Sequence, residues 1–142
     1  YTSGNLVITK ATPTVTWAAP ASIIYGTPLG ATQLNATATV AGNFVYSPAS
    51  GSILNVGVDR VLSVNFTPND VTNYNSVAGT NVLITITKAT VTATANNQTR
   101  TYGAANPALT ITYSGFVNSE TSLVLDILPA AATTANASQR RP

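Results

Sequence analysis

Cysteine, histidine and methionine are all absent from this 142-residue chain. Without cysteine and histidine, the chain has no usual nitrogen or sulfur ligands for zinc, no nucleophilic thiol and no serine–histidine–aspartate triad. Haem and iron–sulfur clusters also lack their protein ligands. No disulfide can form, so cysteine pairing says nothing about the cellular compartment. We therefore expect no cofactor of these classes.

Charged residues are also scarce, at 7% of the chain, where a soluble globular protein carries about 25%. The only carboxylate side chains are Asp59, Asp70, Glu120 and Asp126. The six cations are spread out, and only Arg140 and Arg141 are adjacent. A nucleic-acid binder needs a dense basic face, and a membrane-spanning helix needs about 18 apolar residues in a row. We expect neither a nucleic-acid partner nor a membrane span, and we expect no enzyme activity.

An internal repeat organises the chain. The sequence Ile8–Thr12 recurs further along as Ile86–Thr90. The pair Tyr25-Gly26 recurs as Tyr102-Gly103, at nearly the same offset. Two separate anchors at nearly the same spacing indicate tandem modules rather than chance similarity.

The repeat predicts three segments along the chain. Residues 1–9 form the last strand of an upstream module or an N-terminal linking strand, and residues 10–87 form one complete β module. Residues 88–142 begin a second module, with an Ala/Thr-rich tail. That segment is clearly shorter than the complete module before it, so we expect it to be partial. The start at Tyr1 rather than Met leads us to expect a processed or excised piece of a larger protein.

Alternating apolar and polar residues, rich in threonine and valine, predict an all-β fold. The expected strands are residues 12–17, 35–40, 61–66, 81–87, 90–95 and 109–113. Turn residues separate the strands, for example at Ala41–Asn43 and at Ala78-Gly79, at the spacing typical of a β-sandwich. Residues 119–128 predict a short helix or a turn.

Several ordered blocks of the first complete module resemble the tandem Ig-like repeats of large bacterial secreted and surface proteins. The blocks are Lys10–Trp17, Ile24–Leu29, Gln33–Ala36, Phe44–Gly51 and Phe66–Pro68. Residues 88–128 resemble a second bacterial module, the MBG domain of the YGX type, through Tyr102–Leu109 and Tyr113–Phe116. These resemblances imply Ig-like β-sandwich modules in tandem, an extracellular or cell-surface location and an adhesin-like architecture. They supply no catalytic residues.

A small set of residues is expected to carry the architecture. The aromatic members are core candidates, the glycines lie in the Tyr-Gly turns, and the aspartate and tyrosine have the D-x-x-x-Y spacing of a tyrosine corner. In such a corner the tyrosine hydroxyl bonds back to the backbone. The six residues are Trp17, Gly26, Phe66, Asp70, Tyr74 and Gly103.

Two classes of function remain open. The first is structural: an adhesin stalk or spacer, or a filament subunit whose partial module is completed by a strand from a neighbour. Its partners would be other copies of the chain or adjacent Ig-like modules. The alternative is a module that binds carbohydrate or a host surface through exposed aromatic rings. The candidate rings are Tyr25, Tyr46 and Tyr102.

Two further sites are conceivable from the sequence. Calcium could bind at module linkers near Asp59 or Asp70, although backbone carbonyls and asparagines would have to supply most of the oxygens. Lys10 and Lys88 lie at the module junctions, where a lysine could form an isopeptide crosslink with asparagine. Because no buried acid is evident beside them, we expect solvated charges at these positions.

Overall fold

The computed structural model describes residues 4–136. The chain divides into two compact units, Tyr1–Lys88 and Ala89–Pro142, which we call the first unit and the second unit. The described residues contain eight strands, one short 3-10 helix and no α-helix, so the predicted all-β class is confirmed. In that part of the chain no helix is long and apolar enough to cross a membrane. The predictions for residues 1–3 and for the end of the tail lie outside the described residues.

The strands are short at the start of the chain and long in its middle. All six predicted strands are present, and the 3-10 helix lies in the segment predicted as a short helix or turn. The elements are β1 (Val15–Thr16), β2 (Ile23–Ile24), β3 (Thr37–Ala38), β4 (Gly42–Ser47), β5 (Gly57–Pro68), β6 (Val77–Thr87), β7 (Thr92–Ala95), β8 (Ile111–Ser114) and the helix Ser122–Val124.

The first unit contains two sheets. Strands β1 and β3 form an antiparallel pair, and four strands form a sheet in the order β2-β6-β5-β4. In that sheet β4, β5 and β6 are antiparallel neighbours, with Phe44 opposite Phe66. Strand β2 runs parallel to β6, with Ile23 opposite Ile86. This parallel pair brings β2, from the first third of the unit, beside the end of β6.

Period-2 alternation places the apolar side chains of β5 and β6 in one core. Leu62, Val64 and Phe66 alternate along β5 and are buried, as are Ile84 and Ile86 along β6. Residues from the β1–β3 side of the unit meet the same cluster. They are Trp17, Leu29 and Ala36, with Val15 packed against them. Full burial of each large aliphatic side chain stabilises the unit by about 1.5–3 kcal/mol.

The predicted turn at Ala78-Gly79 is wrong, because both residues lie within β6. The register between β5 and β6 shifts there, which marks a β-bulge. Gly79 has a φ of +70° and donates its amide to the Asn65 side-chain carbonyl at 2.9 Å. Gly79 thus supplies the positive φ of a bulge inside a continuous strand. In the sequence, such a glycine looks the same as one in a turn between two strands.

The turn predicted at Ala41–Asn43 is also wrong for its last two residues, since Gly42 and Asn43 begin β4. A Cβ atom at Gly42 would lie 2.4 Å from the Thr67 carbonyl oxygen and 2.6 Å from the Phe66 ring. Glycine is needed here because the two strands approach closely, not because the chain turns.

The second unit contains one antiparallel pair, β7 and β8, and no other strand within residues 89–136. Thr92 lies opposite Ser114, and Ala95 lies opposite Ile111. Just after β8, Gly115 has a φ of +93°, and a Cβ atom there would lie 2.3 Å from the Thr90 carbonyl oxygen. A glycine is therefore required where the chain leaves the pair.

Candidate functional site

Each unit contains the same Tyr-Gly turn. In the first unit, Thr27 donates its amide to the Ile24 carbonyl at 3.0 Å, and Gly26 has a φ of +94°. In the second unit, Ala104 donates to Thr101 at 3.1 Å, and Gly103 has a φ of +82°. A four-residue turn with a positive φ only at its third residue is type II, which favours glycine there. The two sequence anchors are thus one local structure used twice.

Asp70 organises a turn at the end of β5. Its Oδ1 accepts the backbone amides of Thr72 and Asn73 at 3.1 Å each, and its Oδ2 accepts the Asn73 side-chain amide at 2.7 Å. The Asn73 side-chain hydrogen bond is the main cause that holds the pKa of Asp70 below its ordinary value, with backbone hydrogen bonds adding to the effect. Asp70 therefore stabilises the turn in its ionised form.

Tyr74 contributes its backbone to the same region. Its amide donates to the Asp70 carbonyl at 3.1 Å, and Tyr74 forms a parallel bridge with Ala11. Within residues 4–136, the hydrogen bonds of the Asp70 turn come from the aspartate and the backbone, and none comes from the Tyr74 hydroxyl. The bond that defines a tyrosine corner is thus not seen in this structure.

The lysine proposed for a crosslink is held by a carbonyl group. Lys10 donates its Nζ to the Val71 carbonyl oxygen at 2.7 Å. This contact engages the Lys10 side chain with the backbone beside the Asp70 turn. Around the predicted calcium positions, the described residues contain no group of three or more acidic, histidine or cysteine side chains.

The three candidate binding tyrosines have different environments. Tyr46 packs edge-on against Trp17, with ring centroids 5.3 Å apart, and its hydroxyl accepts the Ala36 amide at 3.0 Å. Tyr25 is half-buried and packs against the first-unit core. Tyr102 is the exposed member of the set. Two of the three rings are therefore used in packing the first unit.

The β7–β8 sheet has one apolar face and one polar face. Opposed residues share a face, so Ala93 lies with Tyr113 and Ala95 lies with Ile111. Tyr113 and Ile111 are half-buried, whereas both alanines are exposed. The opposite face carries threonines and a serine, and Asn96 extends it by donating to the Thr110 hydroxyl at 2.9 Å. Such a pattern is typical of a sheet with one face against a core.

The second unit has no fully buried side chain in its described part, residues 89–136. Between residues 4 and 88, by contrast, eight hydrophobic residues are buried. Large apolar side chains of the second unit face solvent instead, notably Leu123, Val124, Ile127 and Leu128. A two-stranded sheet whose apolar face is only partly covered is marginal by itself, because it buries too little surface to offset chain ordering.

Neither β7 nor β8 contains a charged residue or a proline. Proteins usually protect exposed strand edges with lysine, proline or a covering segment. With only two strands in this sheet, each strand has one edge without a strand partner among the described residues. We therefore take the apolar face and open edges of β7–β8 as the candidate site, which we call the open sheet.

The sequence pattern predicts both strands of the open sheet, but it does not show which of their apolar residues share a face. The alternation in residues 90–95 and 109–113 already contained the signal. Aligning the two strands requires the register, and the register became visible only in the structure. Ala93 and Ala95 are also small, so they attract little notice in a threonine- and alanine-rich chain.

Comparison with known proteins supports one part of the resemblance. The family model described as MBG domain (YGX type) matches residues 89–140, which span the second unit and its Tyr-Gly turn. The class defined by this match and by the fold is an all-β chain that contains an MBG-like module. No curated protein and no solved structure matches the chain.

Proposed function

We propose that the chain is a non-enzymatic structural module of a bacterial secreted or cell-surface protein, in which it acts as a stalk or spacer and assembles by strand complementation. The open sheet carries this proposal. It presents an apolar face and uncharged edges in a unit whose described residues bury no side chain. β-strand addition satisfies the backbone groups of an open edge and covers the face beside it.

The first unit supports the architectural part of the proposal. Its two sheets contribute to one core, as in a β-sandwich, and we infer that it is an Ig-like module. It holds together without a disulfide, since the chain has no cysteine, and its core consists of apolar side chains. A unit of this kind is suited to a rigid mechanical element in an extracellular string.

The chemistry of the described residues also favours a structural role. Among residues 4–136 no polar or charged side chain is buried, and the hydrogen bonds of its surface turn lower the pKa of Asp70. General acid–base catalysis usually needs a group whose pKa is moved towards neutrality by burial or by a like charge. We therefore propose assembly rather than catalysis.

The test is the mass of the chain in solution as a function of concentration, measured by light scattering and accompanied by negative-stain microscopy. Assembly by strand complementation predicts a ladder of species or fibres that grows with concentration. A monomer at all concentrations would contradict the assembly part and leave a passive spacer. Binding to a glycan panel, abolished by Tyr102→Ala, would favour the alternative class.

A further inference from the structure

A short apolar segment precedes the first unit's β1 and lies in the open. Leu6, Val7 and Ile8 are 85%, 72% and 88% exposed. The segment has no strand assignment, and it carries no charge between Asn5 and Thr9. Contiguous exposed apolar side chains are a common feature of interaction surfaces, so this segment is a candidate for one.

The internal repeat aligns this segment with the end of β6, where alternate side chains are buried. The offset that aligns Ile8 with Ile86 also aligns Leu6 with Ile84. Both isoleucines are 2% exposed and belong to the first-unit core. The same offset places Val7 on Thr85, which is not a core residue. Residues 5–9 therefore carry the inner-face pattern of β6, but Leu6 and Ile8 are exposed where Ile84 and Ile86 are buried.

The same offset relates the open sheet to the small sheet of the first unit. Val15 corresponds to Ala93, and Trp17 corresponds to Ala95. In the first unit, Trp17 is part of the cluster that contains Ile84 and Ile86, and Val15 packs against that cluster. In the second unit the two alanines are exposed. The open sheet thus presents the surface that a β6-like segment covers elsewhere in the chain.

We propose that residues 5–9 of one copy pack on the open sheet of a second copy, with Leu6 and Ile8 against Ala93 and Ala95. This inference rests on the proposed function and names its donor and acceptor. The alanines leave space that Trp17 fills in the first unit, and neither surface carries a charge that would have to be desolvated. Donor and acceptor lie in different units, so the contact is heterologous and propagates head to tail.

Cysteine pairing between copies tests the contact directly, because the chain itself has no cysteine. One single-cysteine variant, Ile8→Cys, is mixed with a second, Ala95→Cys, and oxidised mildly. The matched control replaces Ala95→Cys by Thr94→Cys, on the polar face of the same strand. The proposal predicts a mixed disulfide dimer with the Ala95 variant, formed at least about tenfold faster than with the Thr94 variant. Equal rates with both variants would overturn it.

A substitution series gives an independent readout. The double change Leu6→Asn and Ile8→Asn is expected to raise the concentration at half-assembly by about tenfold or more, because two apolar side chains lose their burial. The control Val7→Asn, on the other side of the segment, should change it less than threefold. Trp17 fluorescence verifies that the first unit is folded in each variant.

The outcomes separate this inference from the proposed function. If the chain assembles but neither the crosslink nor the double change behaves as expected, the donor segment is wrong and assembly stands. If light scattering shows a monomer at all concentrations, assembly itself is refuted together with the donor assignment.

Discussion

The core of the first unit makes a quantitative prediction for Leu62→Ala. Leu62 lies in the middle of β5, is 0% exposed and belongs to the apolar cluster shared by both sheets. Truncating a fully buried leucine removes its transfer free energy and leaves a cavity, at a cost of about 2–5 kcal/mol. A domain of this size has a total stability of roughly 5–10 kcal/mol, so the substitution removes a large fraction of it.

Trp17 makes the assay specific to one unit. It is the single tryptophan of the chain, it is buried in the first-unit core, and its indole Nε1 donates to the Gln33 carbonyl at 3.0 Å. Its fluorescence during urea unfolding therefore follows the first unit alone. With a denaturant slope of about 1–1.5 kcal/mol per molar, a loss near 3 kcal/mol lowers the midpoint by about 2–3 M.

The neighbouring residue is the matched control. Val61 lies next to Leu62 in the same strand but is 56% exposed. We expect Val61→Ala to cost less than about 1 kcal/mol, mainly through the lower strand preference of alanine. If the two substitutions shifted the midpoint equally, the assignment of the core to the inward face of β5 would be refuted.

Four further predictions concern local features. Gly26→Ala should lower first-unit stability by about 1–2 kcal/mol through strain at its φ of +94°, and urea unfolding measures this. The control Gly30→Ala should not, because a Cβ atom there would meet only the Gln33 side chain, at 4.0 Å, and Gly30 has no positive φ. Tyr46→Phe should cost about 1–2 kcal/mol in the same assay, because the amide of the buried Ala36 loses its acceptor. Because the pKa of Asp70 is lowered on folding, its ionised form contributes stability above pH 3.8 that is lost as the pH falls through the lowered pKa. Asp70→Asn should remove this part of the pH dependence of the melting temperature. An unchanged pH dependence would contradict the role of the Asp70 carboxylate in the turn. Calcium at millimolar concentration should leave the melting temperature unchanged, because the described residues contain no cluster of three or more acidic side chains. A higher melting temperature would show that calcium binds the folded chain and would contradict this prediction.

Residue alternation was sufficient to predict the all-β class and six of the eight strands. It missed β2 because two residues, Ile23 and Ile24, are too short for a period to show, and their parallel pairing with β6 is long-range. It missed β4 because Gly42 looks like a turn residue. In both cases the partner strand decides the local structure, and a single sequence does not display that partner.

The candidate site was only partly predictable. The repeat predicted a partial second module, which stays a prediction, and the structure adds the register that places Ala93 and Tyr113 on one face of the sheet. The Tyr-Gly anchors predicted turns, and their shared type II geometry follows from the positive φ of each glycine. By contrast, Tyr46 could not be distinguished from an exposed ring by sequence, because its burial depends on the distant Trp17.

Backbone amide hydrogen exchange at low and high protein concentration tests the central claim most directly. Assembly through the open sheet predicts that the amides of β7 and β8 exchange rapidly in dilute solution and become protected as the protein is concentrated. The central amides of β5 and β6 should be protected at both concentrations, because their core is complete within one chain. Equal protection of β7–β8 and β5–β6 in dilute solution would show that the second unit is stable alone, and would contradict the claim.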